Sequence, residues 1–230
     1  GDYYLEFQLR VLPRRGEETI YTGHLWGSRN GMGPITRVAI QDAMGDRQHM
    51  LIQNGPVPAV WIWQDGQPVA QRATSDRLYE PILADTEFTL FDLQMPYVYW
   101  QDFTFQGVSK ILGRAAHTFL MKAPEDMAAN DQAPRAVKLQ LDTQFRAMVQ
   151  SALIDGEGKA YKTLSLRDLK KVDDQWMVKS IDLRNEKTRD KTRFQVMRAA
   201  LNLDLSPHIF EPTSLAETVG PPTKTTSLGR

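Results

Sequence analysis

Leu5-Glu6-Phe7-Gln8-Leu9-Arg10-Val11, close to the N-terminus, alternates apolar and polar residues without interruption. A side-chain period of two puts Leu5, Phe7, Leu9 and Val11 on one side and Glu6, Gln8 and Arg10 on the other. This is the pattern of a strand in a sheet with one dry and one wet face. The pattern repeats outward from this point. Pro13-Arg14-Arg15-Gly16 breaks the first run and a second occupies residues 19–26; short strand-like runs follow at 36–42, 48–53 and 60–63. Between them lie the turn formers of 27–34, Met44-Gly45-Asp46, Asn54-Gly55-Pro56 and Asp65-Gly66. Turns so closely spaced between short strands predict an antiparallel meander rather than βαβ units.

Alternation resumes in the second half. Residues 102–112 and 115–122 turn on Leu112-Gly113-Arg114, and Val137, Leu139 and Leu141 alternate with Lys138 and Gln140. Residues 145–154 and 161–169 are joined by Asp155-Gly156-Glu157-Gly158, Asp173-Asp174 turns into 176–184, and 193–198 is the last expected strand. Residues 124–134 read as a polar surface loop. From residue 217 onward Gly, Pro, Thr and Ser dominate, which predicts a disordered tail. No composition break divides the chain, so the expectation is one domain over 1–216 and a flexible tail over 217–230.

The middle is different. In residues 75–100, SDRLYEPILADTEFTLFDLQMPYVYW, the alternation fails and Pro81 and Pro96 intervene. Thr89-Leu90-Phe91-Asp92 has a hydroxyl cap and a carboxylate three residues on, the signature of a helix start. The segment reads as one or two short helices and a loop. Its apolar side chains, Phe88, Leu90, Phe91, Leu93, Met95, Tyr97, Val98, Tyr99 and Trp100, must be covered by something.

Composition excludes several classes. The 28 basic and 28 acidic residues cancel, leaving no global field to draw the chain to nucleic acid. Without cysteine there is no thiol catalysis, disulfide or cysteine-ligated zinc, and the chain as given has no N-terminal cysteine to carry a lipid. No apolar run reaches the roughly 18 residues of a membrane span. The chain enters a strand pattern directly after Gly1, which reads as an exported protein shorn of its targeting segment. His24, His49, His117 and His208 are dispersed, and no metal-ligand spacing, nucleophile motif or phosphate-binding loop occurs. The expectation is therefore no enzyme, no metal and no cofactor. The basic run 184–193 reads as a solvated hairpin tip, or else as a docking site for acidic lipid headgroups.

Several blocks resemble a known family. Val60-Trp61-Ile62-Trp63-Gln64-Asp65-Gly66 is a tryptophan-rich strand with an Asp-Gly turn, leading through a basic, proline-containing stretch to Glu87-Phe88-Thr89-Leu90-Phe91-Asp92-Leu93. Lys170-Lys171-Val172-Asp173-Asp174-Gln175-Trp176 and the closing 200–212 segment continue the likeness. Together they resemble the outer-membrane lipoprotein-sorting-like proteins of the LolA/LolB-like superfamily, from about residue 35 to about 215. Phe91 stands where that family usually carries a charged residue, and the Tyr97-Val98-Tyr99-Trp100 cluster is heavier than its pattern.

The resemblance implies a mainly β fold: a curved antiparallel half-barrel of about ten to eleven strands, with short helices over its concave face. It also implies a monomeric periplasmic or exported binding protein that holds lipoprotein acyl chains or another lipid. A membrane-associated envelope partner is a further implied possibility, and an envelope scaffold with a self-filled cavity is the alternative. The candidate cavity and lid residues are Phe7, Leu9, Val11, Trp61, Trp63, Phe88, Phe91, Leu93, Met95, Tyr97, Trp100, Phe103 and Phe105. Ordinary core packing is the competing reading for each of them.

Overall fold

The computed structural model describes residues 1–229. Turn chemistry and alternation build two antiparallel meanders. The first runs through β1 (Asp2–Leu12), β2 (Thr19–Asn30), β3 (Gly33–Gln41), β4 (Arg47–Gln53), β5 (Ala59–Gln64) and β6 (Gln71–Arg72). The second runs through β7 (Phe103–Ile111), β8 (Arg114–Lys122), β9 (Ala136–Asp142), β10 (Met148–Ile154), β11 (Ala160–Val172), β12 (Gln175–Asn185) and β13 (Lys191–Leu203). Pairing of β1 with β13 fuses them into one sheet that is not closed, ordered β6-β5-β4-β3-β2-β1-β13-β12-β11-β10-β9-β8-β7. Its edges are β6, of two residues, and β7, of nine.

A fourteenth strand, β14 (Thr226–Ser227), pairs with Arg198 and Ala199 of β13. It occupies the edge that β12 leaves free, since β12 pairs with β13 only along Lys191–Gln195. The count of fourteen corrects the expected ten to eleven. The strands β6 and β14 have two residues each, too short to show a period. The second lies in the segment expected to be a flexible tail. Leu228 is 2% exposed inside the main apolar cluster, and its N–H donates to the Met197 carbonyl. Composition could not reveal this, because a single leucine anchors a segment otherwise made of turn formers. The loop at 124–134 includes one helical turn, Glu125–Ala128.

The register sorts side chains onto two faces. Leu5, Phe7 and Leu9 lie opposite Leu25, Gly23 and Tyr21 of β2, while Phe7 and Leu9 lie opposite Val196 and Phe194 of β13. With Val38, Met50, Ile52, Val60, Ile62, Leu164 and Leu183 they form one apolar cluster reaching from β5 to β11. This is the concave face. Gly23 is required there, because a Cβ would stand 2.4 Å from Cζ of the Phe7 ring lying over it.

Part of the opposite face of β1–β5 is also dry, because residues 205–219 strap across it. Tyr4, Trp26, Ile35, Leu51 and Trp63 pack against Phe210 and Leu215. Arg37, 1% exposed, holds the strap by donating to the carbonyls of Ile209, Ser214, Leu215 and Glu217. His49 lies 2.7 Å through Nδ1 from the Leu215 carbonyl. Four carbonyl dipoles and the Ser214 hydroxyl thus solvate a buried guanidinium with no ion-paired carboxylate among the described residues.

Two predictions test this arrangement. Leu228→Ala should lower stability by about 2–5 kcal/mol, the usual cost of truncating a buried leucine, measurable by denaturant unfolding; a loose tail would give no change. The second concerns pH. Burial holds the His49 imidazole below its ordinary pKa, so its contribution is complete above about pH 6.5 and is lost as pH falls below that value. His208, raised by Glu217 and Glu211, has the opposite sign but is solvent-screened. The strap should therefore loosen on acidification, seen as faster amide exchange in 205–219 at pH 5 than at pH 7 after correction for intrinsic rates.

Candidate functional site

The 75–100 segment lies over the concave face. Thr89 caps α1 (Leu90–Gln94): its hydroxyl accepts from the Asp92 N–H, and the Asp92 carboxylate accepts from the Thr89 N–H. Met95 ends the helix with φ 48°, and Pro96 opens a 3₁₀ turn over Pro96–Tyr99. The chain thereby presents Ile82, Leu83, Phe88 and Leu90 to the main cluster. It presents Phe91, Tyr97 and Trp100 to a second cluster with Met121, Val137, Leu139 and Leu153 on β8–β10.

Polar contacts fasten this lid. Lys162 of β11 donates from Nζ to the Asp92 carboxylate at 2.9 Å and to the Glu87 carbonyl at 2.8 Å. Both members of the Asp92–Lys162 pair are buried or nearly so. The Glu87 N–H donates to the Thr192 hydroxyl, and Asn54 donates from Nδ2 to the Gln94 carbonyl. The Tyr97 hydroxyl and Ser151 share a hydrogen bond of 3.0 Å. Burial raises the Glu87 carboxyl pKa, opposed by Lys162 and Asn185; burial likewise raises the Tyr97 phenol.

The lid does not reach the β7 end. Phe103 and Phe105 face Met121 and Phe119 across the β7–β8 ladder, and Val108 faces His117. Phe103, Phe105 and Val108 are 53%, 53% and 58% exposed. The half-buried Phe119 links them, with ring centroids 5.8 Å from Phe103 and 5.3 Å from Phe105. The concave face thus consists of a covered floor and an open aromatic shelf.

The thirteen candidates divide accordingly. Phe7, Leu9, Val11 and Phe88 are buried on the concave side, and Leu93 packs against them. Phe91, Tyr97 and Trp100 are buried with Met95 in the second cluster. Phe103 and Phe105 stand on the open shelf. Trp61 and Trp63 belong elsewhere: they lie on the opposite face, grouped with Phe210 and Leu215 beneath the strap. β5 is apolar on both faces, with Val60 and Ile62 on the concave side, so alternation along it marks no preferred face. The sequence reading missed Phe119 and Lys162. Each was available from alternation, Phe119 with Met121 and Lys162 with Leu164. The basic run 184–193 is laced by acids, with Arg193 bonded to Asp182 and Arg189 beside Glu186.

The described residues contain no group of three histidines, acids or cysteines placed to hold a metal, and no helix among them is long and apolar enough to cross a membrane. What the geometry shows at this site is apolar surface, covered by the lid over the floor and bare on the shelf. Removing one partner of a buried pair leaves the other charge uncompensated. Lys162→Met should cost about 3–5 kcal/mol, with the amides of 87–100 losing exchange protection before the sheet does. Uniform loss of protection would show that the pair does not hold the lid in particular.

Comparison with known proteins agrees with this architecture. The model of a family described as "Uncharacterized protein" matches residues 59–217. No curated protein sequence matches. Among solved structures, a domain described as an outer membrane lipoprotein-sorting protein from Vibrio parahaemolyticus superposes with a TM-score of 0.80 at 16% identity, over 94% of this chain and 91% of that one. A DUF1329 family protein from Desulfovibrio piger gives 0.78 at 14% identity, over 93% and 91%. A LolA superfamily protein from Nitrosomonas europaea gives 0.69 at 13% identity, over 91% and 90%. The chain belongs to the family whose model spans residues 59–217, and its fold is that of the LolA-like, outer-membrane lipoprotein-sorting-like proteins.

Proposed function

We propose that this protein is a cell-envelope binding protein that holds acyl chains, of a lipoprotein or of a lipid, against its concave face. The observation that carries this reading is the shelf of Phe103, Phe105, Val108 and Phe119, left open where the rest of that face is covered. Exposed apolar surface arranged contiguously on a soluble protein marks a binding site more often than chance exposure does. An acyl chain lying there gains about 0.8 kcal/mol per buried methylene. The shelf is continuous through Phe119 with the second cluster under Phe91, Tyr97 and Trp100, so a longer chain would run beneath a displaced lid. Fastening by a few polar contacts suits a lid that must open for loading and close again, as a carrier or sensor requires. The periplasm is the compartment this reading implies.

A second reading has its own support. Phe88, Leu90, Phe91 and Tyr97 are almost fully buried, as in a scaffold whose cavity is filled by its own side chains. Both readings share the fold and differ in whether the lid yields to a ligand.

Native mass spectrometry of the purified protein, with titration by a fluorescent C16 fatty acid, separates them. The carrier reading expects one or two bound amphiphiles, and at least tenfold weaker binding in Phe119→Glu, whose charge would lie in the shelf. A protein that stays empty and does not bind the probe would establish the self-filled scaffold instead.

A further inference from the structure

We propose that the β7 edge accepts a short extended peptide from a partner protein as an added strand, pairing with Phe103–Phe105. The proposal goes beyond lipid binding and does not depend on it. The two edges of the sheet are unequal. At one end β6 exposes only two residues, short enough to protect itself, whereas β7 exposes nine. Exposed edges of that length normally carry charge or proline to discourage pairing. The one charge on β7 is Lys110, beyond the bulge, and Phe103-Thr104-Phe105-Gln106 carries neither charge nor proline.

Hydrogen-bond phase shows which backbone groups are free. The Lys122 N–H donates to the Asp102 carbonyl. At the other end the turn at Leu112 and Gly113, with φ of 49° and 81°, is of the two-residue type that closes on a bonded Ile111–Arg114 pair. In an antiparallel ladder bonded and non-bonded pairs alternate. Thr104 therefore bonds to β8, while the N–H and C=O of Phe103 and Phe105 point away from the sheet. Only an extended chain can satisfy donors and acceptors in that repeat. The side chains of Phe103 and Phe105 lie on the concave side, so the added strand should carry apolar residues at alternate positions to continue the shelf.

The bulge between Phe105 and Val108, at Gln106 and Gly107, selects the occupant. It interrupts the regular edge after Phe105 and twists the remainder away. A second copy pairing along all nine residues would meet its own bulge, whereas a peptide of four to six residues needs only the regular part. The geometry thus favours a peptide over self-association.

Phe105→Pro tests this directly, because its lost N–H is one that points outward. Proline is tolerated at such edge positions, whereas Thr104→Pro would remove a ladder bond. The probe is a capped hexapeptide of alternating valine and threonine, added at millimolar concentration to isotope-labelled full chain and followed by amide NMR. The expected result is shift and exchange protection at Phe103 and Phe105. Binding should fall at least tenfold in Phe105→Pro while thermal unfolding stays within a few degrees of the parent. Absence of binding to the parent would overturn the proposal, as would equal binding by Phe105→Pro. Sedimentation showing a dimer that Phe105→Pro dissolves would also overturn it, assigning the edge to a second copy. If Phe105→Pro unfolds, Phe105→Lys serves in its place: unchanged peptide binding there would overturn the proposal and a tenfold loss would support it.

Discussion

Pairing of β1 with β13 is the constraint on which the rest of the molecule depends. Each meander is built from neighbouring hairpins, but neither has a complete concave face alone. Their junction brings nearly the two ends of the chain together and sets Phe7 on Phe194 at a ring-centroid distance of 4.6 Å. Closing so long a loop costs more entropy than a local hairpin, although the cost grows only logarithmically with length. It is offset by ten paired positions and by the apolar cluster that spans the seam. The cover follows from the seam. The lid spans it, reaching β13 through Thr192 and β11 through Lys162, with Asn54 at the end of the β4 hairpin on the other side.

Legibility in the sequence follows burial on one face against burial on both. In the run Leu5–Val11, Phe7, Leu9 and Val11 are buried while Glu6, Gln8 and Arg10 are only partly so, and its alternation is plain. In β4, Gln48 through Gln53 are all buried, and β5 packs Val60 and Ile62 on one side while Trp63 packs on the other. A strand covered on both faces shows no preferred face. Trp61 and Trp63 lie on the side that residues 205–219 cover, and that strap is distant in sequence and without a period of its own. The Thr89–Asp92 capping box was legible because it is local. The Asp92–Lys162 contact was not, since only the folded sheet brings those residues together.

Asp92 joins the local and the distant. Its carboxylate accepts from the N–H and hydroxyl of Thr89 and from Lys162. One charge therefore starts a helix of five residues and fixes its position on the sheet. A helix so short has little stability of its own, so its conformation and its docking must be established together. A buried pair of this kind need not add net stability, because desolvating both charges offsets much of their attraction. What it supplies is position. An apolar lid on an apolar floor could slide with little change in buried area, whereas a hydrogen-bonded charge pair is satisfied in one register.

That distinction bears on the open shelf. If burial alone governed the lid, its eight or so apolar side chains would gain by spreading over Phe103 and Phe105. They do not. The polar anchors at Asn54, Thr192 and Lys162 lie on the β4, β13 and β11 side, while Ser151 on β10 holds Tyr97 and Asn130, between β8 and β9, holds Asp76. Beyond Tyr97, Val98 and Tyr99 turn outward and become exposed. These anchors leave Phe103 and Phe105 uncovered, although the lid ends at Trp100, with only two residues between it and β7. An uncovered aromatic strip beside an unpaired strand edge is costly to solubility and prone to unwanted pairing. An edge that carries Phe103 and Phe105 rather than charged side chains is the surface on which the proposed binding rests.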